Sequence, residues 1–309
     1  MVASEFERWL VLWCQQELGA TPIERLMATS QMSEVLGIRL DDGRHVVIKS
    51  RADPTRRAQT CVAVQRHAAD AGFPCARPLT NVTYLDDLAV HAEQWRPDGN
   101  VLRGDTPAIA EQFARLYAQL GTIIEALPLK PPLPNPEWVN WDHTGPGSWP
   151  PNPRHDNRPR ATHLPPLLVE IASRTRTRLT KPSHLPRVLG HADWETQNLR
   201  WTTAGPRAVH DWDSIAWLPE AALVGAASGA FASAETPTLA PIQSSETFLA
   251  AYQDARARTF TPEETELAWA ASLWPALHNA RGEFLWDSPP VALTEVLDQA
   301  EDRLHRAGA

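Results

Sequence analysis

The chain predicts an α+β fold in two parts, a small, mostly antiparallel sheet over residues 1–95 and a mainly helical region over residues 96–309. Three observations carry this reading. Two pairs of strand-like runs are each joined by an acidic tight turn, Asp41-Asp42-Gly43-Arg44 and Asp86-Asp87. The two pairs flank one helical segment, and from Thr106-Pro107 onward the apolar residues recur at helical spacing.

The elements follow in order. Ser4-Glu5-Phe6-Glu7 reads as a capping box, and Phe6, Trp9, Leu10, Trp13 and Leu18 then recur with a helical period until Gly19 stops it, an amphipathic lid for the back of a sheet. Glu34 to Leu40 and His45 to Lys49 are strands about an Asp-Gly turn, which tolerates the positive φ of a tight hairpin. A helix from about Arg57 to Ala71 is closed by Gly72, and Pro74 and Pro78 force extended chain. Asn81 to Leu85 and Leu88 to Trp95 form the second strand pair. Helices are expected from Thr106 to about Ala126, Leu164 to Leu179, Glu220 to Ser233, Glu246 to Arg258, and from Thr261-Pro262-Glu263-Glu264 to about Trp286. Between Leu127 and Pro166 the sequence is rich in Pro, Trp, Asn and Asp. So long a stretch without regular structure is either functional or disordered, and Trp138, Trp141 and Trp149 favour packing.

At 309 residues the chain buries a sizeable core, and its ordinary apolar and charged content argues against disorder. The net charge of −8, with no Lys/Arg-dense stripe, argues against a nucleic-acid groove. Cys14, Cys61 and Cys75 follow no metal or disulfide spacing and read as small buried apolar residues. Without a signal peptide or an apolar run long enough for a bilayer, the expected location is the cytoplasm, with no membrane partner, as a monomer or weak dimer.

The chemistry concentrates in His191-Ala192-Asp193-Trp194-Glu195-Thr196-Gln197-Asn198 and, after a short hairpin, His210-Asp211-Trp212-Asp213. Phosphoryl transfer needs an acceptor for a hydroxyl proton, hard oxygen ligands for Mg²⁺, and a cation on the phosphates. Asp193 suits the first role, Asn198 and Asp211 the second, and Lys49, at the end of Val46-Val47-Ile48, the third. Taken singly, each has a structural reading: a solvated lysine, a hydrogen-bonded turn, an aspartate at a strand end. The order of strand lysine, helix, strand pair, HxDxxxxN and hairpin aspartate is what points to phosphoryl transfer.

This arrangement resembles the aminoglycoside phosphotransferase and choline kinase-like family, small-molecule kinases with a protein-kinase-like fold. The family's HGDxxxxN is matched by His191, Asp193 and Asn198, its hairpin aspartate by Asp211, its strand lysine by the HVVIK run, and its linker by AGFPCARPL at Ala71 to Leu79. The likeness runs from about Met32 to Trp286. It implies a nucleotide-binding first lobe and a second lobe carrying the catalytic loop. By the resemblance Asp193 is the catalytic base or a carboxylate that orients the substrate, Asn198 and Asp211 hold magnesium, and Lys49 contacts the phosphates of ATP or GTP. Ser33, in MATSQMSEVLG, matches the nucleotide loop, and Glu93-Gln94-Trp95 the hinge whose backbone holds the base, so Glu93 and Trp95 join the cofactor residues. The implied reaction is phosphorylation of a hydroxyl on a small molecule: an aminoglycoside or other antibiotic, a sugar or an amino alcohol.

Three departures stand out. The helix glutamate that pairs with the family's lysine falls near Cys61, among Gln59, Thr60 and Val62, where there is no carboxylate, so Asp211 or the nucleotide would have to orient Lys49. Ala192 replaces the loop glycine, and Ala216-Trp217-Leu218-Pro219-Glu220-Ala221-Ala222 replaces the usual Gly-Asp-Pro and following aspartate. Asp213 either assists the metal or caps its loop.

For the acceptor, Trp138, Trp141, Asp142, Trp149 and Asp156 can form an aromatic and acidic wall, and Asn279, Glu283, Trp286 and Asp287 can face the same groove. Two rival readings are a catalytically silent kinase-like binding protein, suggested by the missing helix glutamate and the altered loop glycine, and a metal-dependent hydrolase using His191, Asp193, His210 and Asp211.

Overall fold

The computed structural model describes residues 6–30, 33–102, 104–125 and 127–309. It begins with α1 (Arg8–Leu18), ended by Gly19 at φ 68°, a left-handed conformation open to glycine at no steric cost. Ser4 and Glu5 of the expected capping box lie outside the described residues. Then come β1 (Pro22–Ser30), β2 (Glu34–Leu40), β3 (His45–Ala52), α2 (Arg57–Asp70), β4 (Thr83–Leu85) and β5 (Leu88–Gln94). The five strands form one antiparallel sheet in the order β1-β2-β3-β5-β4.

The sheet has two faces of opposite chemistry, because successive side chains alternate. Leu36, Ile38, Leu40, Val46, Ile48, Val90 and Ala92 point to one face and are sealed by Phe6, Leu10, Trp13 and Cys14 of the α1 region. Pairing of Val35 with Lys49, Lys49 with His91, and Val47 with Glu93 assigns the charged residues to the other face. The lid anticipated from the α1 periodicity is therefore what frees the opposite face for a site.

β1 was not anticipated. It is an edge strand, mostly exposed, and so lacks the apolar alternation by which strands are read from sequence.

The remainder is helical. α3 (Pro107–Ile124) is followed by the proline-rich stretch, which contains a 3-10 turn (Glu137–Val139), the short α4 (Pro153–Asp156) and a second 3-10 turn (Pro159–His163). Val139, Trp141 and Trp149 are buried in the main core, so this segment is packed. α5 (Pro166–Leu179) leads to two small hairpin-like pairs, β6 (Arg187–His191) with β9 (Ile215–Pro219), and β7 (Leu199–Thr202) with β8 (Gly205–Val209). α6 (Glu220–Ala230), α7 (Ile242–Ala255), α8 (Pro262–Trp286) and α9 (Val291–Arg306) complete the chain.

α8 starts at the expected Thr261-Pro262-Glu263-Glu264, where Thr261 and Glu264 form a capping box, each bonding the other's backbone N–H. α6 lies so close to α8 that a Cβ on Gly225 or Gly229 would strike the backbone of Ala268 or Ser272. α9 was not anticipated from the sequence. Its buried positions Ala292, Val296, Ala300, Arg303 and Leu304 lie along one face of an amphipathic helix.

Candidate active site

The loop after β6 is held by its own surroundings. The His191 ring donates from Nε2 to the His210 carbonyl (2.9 Å) and accepts the Asp193 N–H at Nδ1 (3.3 Å). Burial pushes this imidazole down to about 4, so it is neutral, in keeping with one donating and one accepting nitrogen. Tyr117 donates to the His191 carbonyl (2.9 Å), and the Trp138 indole to the Ala192 carbonyl (3.0 Å). Trp194 is buried against Tyr117 and His191. Ala192 is not among the described residues with positive φ, so alanine occupies the glycine position without backbone strain.

Asn198 reaches back across the loop. Its amide nitrogen donates to Asp193 Oδ2 (2.7 Å) and to the Asp193 carbonyl (3.1 Å). Asp211, at the start of the 3-10 turn Trp212–Ser214, has φ 60°, ψ 47°, a conformation that costs a non-glycine residue free energy and is kept where surroundings enforce it. Ser214 Oγ donates to Asp211 Oδ2 (2.9 Å), and the Ala192 N–H donates to the Ser214 carbonyl (2.9 Å), tying the two loops together.

The result is a crowd of acids. Burial, then the charges of Glu195 and Asp211, hold the Asp193 carboxyl well above the usual carboxylate range. Burial and Asp211 push Glu195 to about 7, and burial and Asp213 push Asp211 to about 6. Glu195 was not singled out from the sequence. Its position inside HADWETQN is the only signal, and the crowding becomes visible only when the loop folds.

Across the cleft, Lys49 has a partner. Its Nζ is 3.1 Å from Glu93 Oε1, and Gln65 of α2 donates to Glu93 Oε2 (2.7 Å) and to the Ala76 carbonyl (2.8 Å). Glu93 is 3% exposed. Burial disfavours the Lys49 ammonium, but Glu93, Asp213 and Asp211 outweigh it and hold Lys49 above its ordinary value; Glu93 is correspondingly lowered despite its burial. The carboxylate missing from the helix is thus supplied by the neighbouring strand. This corrects the expectation that only Asp211 or the nucleotide would orient Lys49.

Glu93 also differs from the expected hinge residue. It lies within β5, opposite Val47 on one side and bridged to Pro78 on the other, with its side chain on Lys49. Trp95, just past the strand, lays its indole over Gly37: a Cβ there would fall 2.1 Å from Trp95 Cζ3 and 2.6 Å from Met27 Cγ. Gly37 lies opposite Val47, two residues from Lys49 on the cleft face, so Trp95 covers the sheet beside the lysine. Ser33 Oγ donates to Asp213 Oδ2 (3.1 Å), and Arg51 Nη1 pairs with the same oxygen (2.6 Å). Arg51 went unmarked in the sequence because only the fold shows that it shares the face of Lys49.

Of the nine residues expected around the acceptor groove, Trp141, Asp142, Asp156, Glu283 and Asp287 are drawn into structural contacts. Trp141 is buried edge-on against Trp274, and Asp142 pairs with Arg187 at the surface (3.0 Å). Asp156 accepts from the Asn152 backbone (2.7 Å) and pairs with Arg281 (2.5 Å). Glu283 is buried and accepts the N–H groups of Ala292 and Leu293 at the start of α9 (2.8 and 2.9 Å). Asp287 pairs with Arg160. Beside them lies a polar cluster not singled out from the sequence, where His155 is 3.3 Å from Glu137 and its ring 5.7 Å from that of His278, one helical turn from Arg281. Glu137 adjoins Trp138, whose indole holds the Ala192 carbonyl, so the cluster borders the Asp193 loop.

The hydrolase alternative does not find its ligands. Both His191 ring nitrogens are bonded to the backbone of its own site, and among the described residues no group of three or more His, Cys, Asp or Glu is arranged to hold a metal ion.

The comparisons with known proteins agree with this geometry. Residues 37–240 match the model of the phosphotransferase enzyme family. A search of curated proteins finds no match. Among solved structures the fold is similar to amicoumacin kinase in complex with AMP-PNP, Ca²⁺ and its substrate (TM-score 0.63, 9% identity, covering 97% of this chain and 94% of that one). It is also similar to spectinomycin phosphotransferase in complex with ADP and spectinomycin (0.57, 10%, 99% of each chain). A third likeness is to an aminoglycoside phosphotransferase from Alicyclobacillus acidocaldarius (0.54, 15%, 95% and 94%). With a two-lobed α+β fold, a lysine-bearing sheet facing the HADWETQN loop, and a family match over two thirds of its length, the chain belongs to the phosphotransferase enzyme family.

Proposed function

We propose that this protein transfers the γ-phosphoryl group of ATP or GTP to a hydroxyl of a small molecule. The observation that carries this is the facing arrangement of Lys49, fixed in the sheet, and Asp193, Asn198 and Asp211, fixed in two bonded loops. In the reaction the acceptor oxygen attacks the γ-phosphorus, the bond to the bridging oxygen breaks, and the nucleoside diphosphate leaves with the bonding electron pair. Asp193 takes the hydroxyl proton. Its raised proton affinity suits that task, since a base nearer the working pH takes a proton more readily. Asn198 orients Asp193 through its amide nitrogen, which leaves the amide oxygen for a cation.

The donor set fits Mg²⁺. Asn198 and Asp211 offer hard oxygens, and the crowded acids of the loop are relieved by a nearby cation. When bound with the nucleotide, magnesium supplies charge neutralisation on the phosphates. With a nucleotide bound, Lys49 and Ser33 would hold its phosphates from the side of the sheet and Trp95 would meet the base. The similar solved structures hold ADP or AMP-PNP together with small-molecule substrates, which supports a nucleotide and a hydroxylated acceptor as the ligands here. The silent-protein reading loses its motive, because Glu93 provides the partner that the helix lacks.

The direct test is nucleoside diphosphate release across a panel of aminoglycosides, sugars and amino alcohols, with Asp193→Asn as control. Acceptor-dependent release that the variant loses is expected. Equal release by both proteins would remove Asp193 from its role.

A further inference from the structure

The Lys49–Glu93 pair lies wholly within the sheet, so the lysine is oriented whether or not the two lobes approach each other. Something else must register the lobes. Arg51, two residues beyond Lys49 on the same face, pairs with Asp213 Oδ2 at 2.6 Å, and Ser33 Oγ donates to that oxygen at 3.1 Å. Arg51 is the penultimate residue of β3, Ser33 directly precedes β2, and Asp213 belongs to the 3-10 turn that starts from Asp211. One carboxylate oxygen therefore gathers two groups of the first lobe onto the loop of the second that carries Asp211.

The neighbours strengthen the junction. Arg57, the first residue of α2, donates to the Ile215 carbonyl (2.7 Å) and the Pro132 carbonyl (2.7 Å), and Thr60 to the Lys130 carbonyl (2.9 Å). Cys61, where a carboxylate was expected, touches the Asp213 carbonyl through Sγ at 3.9 Å. Arg51 and Asp213 are each about one-fifth exposed, so the pair is shielded more than a surface ion pair.

We propose that Arg51 is a positioning residue: through Asp213 it latches the sheet and Ser33 to the Asp211 loop. The physical reason is geometric: Asp213 lies two residues from Asp211 in the same turn, so without Arg51 the loop that carries Asp211 loses its ion-pair anchor to β3. This inference rests on the phosphotransferase reading above.

The test compares Arg51→Gln, Asp213→Asn, their double variant and Arg51→Lys, which keeps the charge should the glutamine variant fail to fold. Steady-state rates are taken against nucleotide and Mg²⁺ concentration. Each neutral variant is expected to raise the KM for Mg-nucleotide and the half-saturating Mg²⁺ about tenfold, the double variant no further, and Arg51→Lys within about threefold of wild type. Unmoved KM and Mg²⁺ dependence, with only thermal stability altered, overturns the latch alone, as do additive effects in the double variant. Absence of nucleotide binding in the wild type overturns both this inference and the reading on which it stands.

Discussion

Lys49 and Asp193 are both partly buried ionisable groups facing one cleft, yet their surroundings treat them oppositely. Lys49 is matched by Glu93 at 3.1 Å, and Glu93 by Gln65, so the charge of the first lobe is balanced inside the sheet. Asp193 is matched by Asn198, a neutral amide, and hemmed in by Glu195 and Asp211, so negative charge accumulates in the second lobe. A balanced buried pair is a fixed part of the fold, whereas uncompensated buried carboxylates cost free energy until a cation arrives. The first lobe is built as a rigid support and the second as a site that is completed by its ligand.

The comparison can be broken or sharpened by substitution. Asp193→Asn should have the largest effect, lowering kcat about 10³-fold with an established acceptor while leaving the fold intact, as followed by product release and circular dichroism. Glu93→Gln strands Lys49 without its carboxylate and should cost about 3–5 kcal/mol in denaturant unfolding, with a raised KM for nucleotide. If the loss were below about 1 kcal/mol, the pair would not be the fixed element described.

Glu195→Gln should act in the opposite sense on stability, and only above a certain pH. In the unfolded chain Glu195 ionises near 4.5, whereas in the fold it keeps its proton to about 7, so this group makes stability fall as pH rises between those values. His91, His191, His210 and His278, each lowered to about 4 from 6.5, work the other way between pH 4 and 6.5. The difference between variant and wild type removes them. The thermal midpoint of Glu195→Gln should exceed that of wild type by an amount that grows from pH 4.5 to 7 and then levels. A gap independent of pH would contradict the crowding. The smallest effects belong to Asp142→Ala and Asp287→Ala, surface ion pairs worth about 0–1 kcal/mol, with acceptor KM unchanged. A large rise in acceptor KM would return these residues to the substrate wall.

Much of this was legible in the sequence. The two hairpins, α1 as a lid and the start of α8 follow from local rules, and the HADWETQN and HDWD loops place their acids through short-range turns. What escaped depends on pairing between distant segments. Glu93 becomes the partner of Lys49 only through the register of β3 and β5, and Arg51 meets Asp213 across 162 positions of chain. The acidic and aromatic residues of the proline-rich stretch suggested a ligand wall because composition cannot show which charges are already spoken for by Arg187, Arg281 and Arg160. β1 escaped for want of apolar contrast, whereas the apolar face of α9 was there to be read.

The central claim is that the two lobes together form a magnesium-nucleotide site, and the thermal midpoint with ATP or GTP, each with and without Mg²⁺, tests it most directly. A ligand that binds the folded state raises the midpoint by mass action. The account predicts a clear rise when nucleotide and Mg²⁺ are present together, and little with either alone. No shift with either nucleotide at millimolar concentration, with Mg²⁺ in excess, would contradict it.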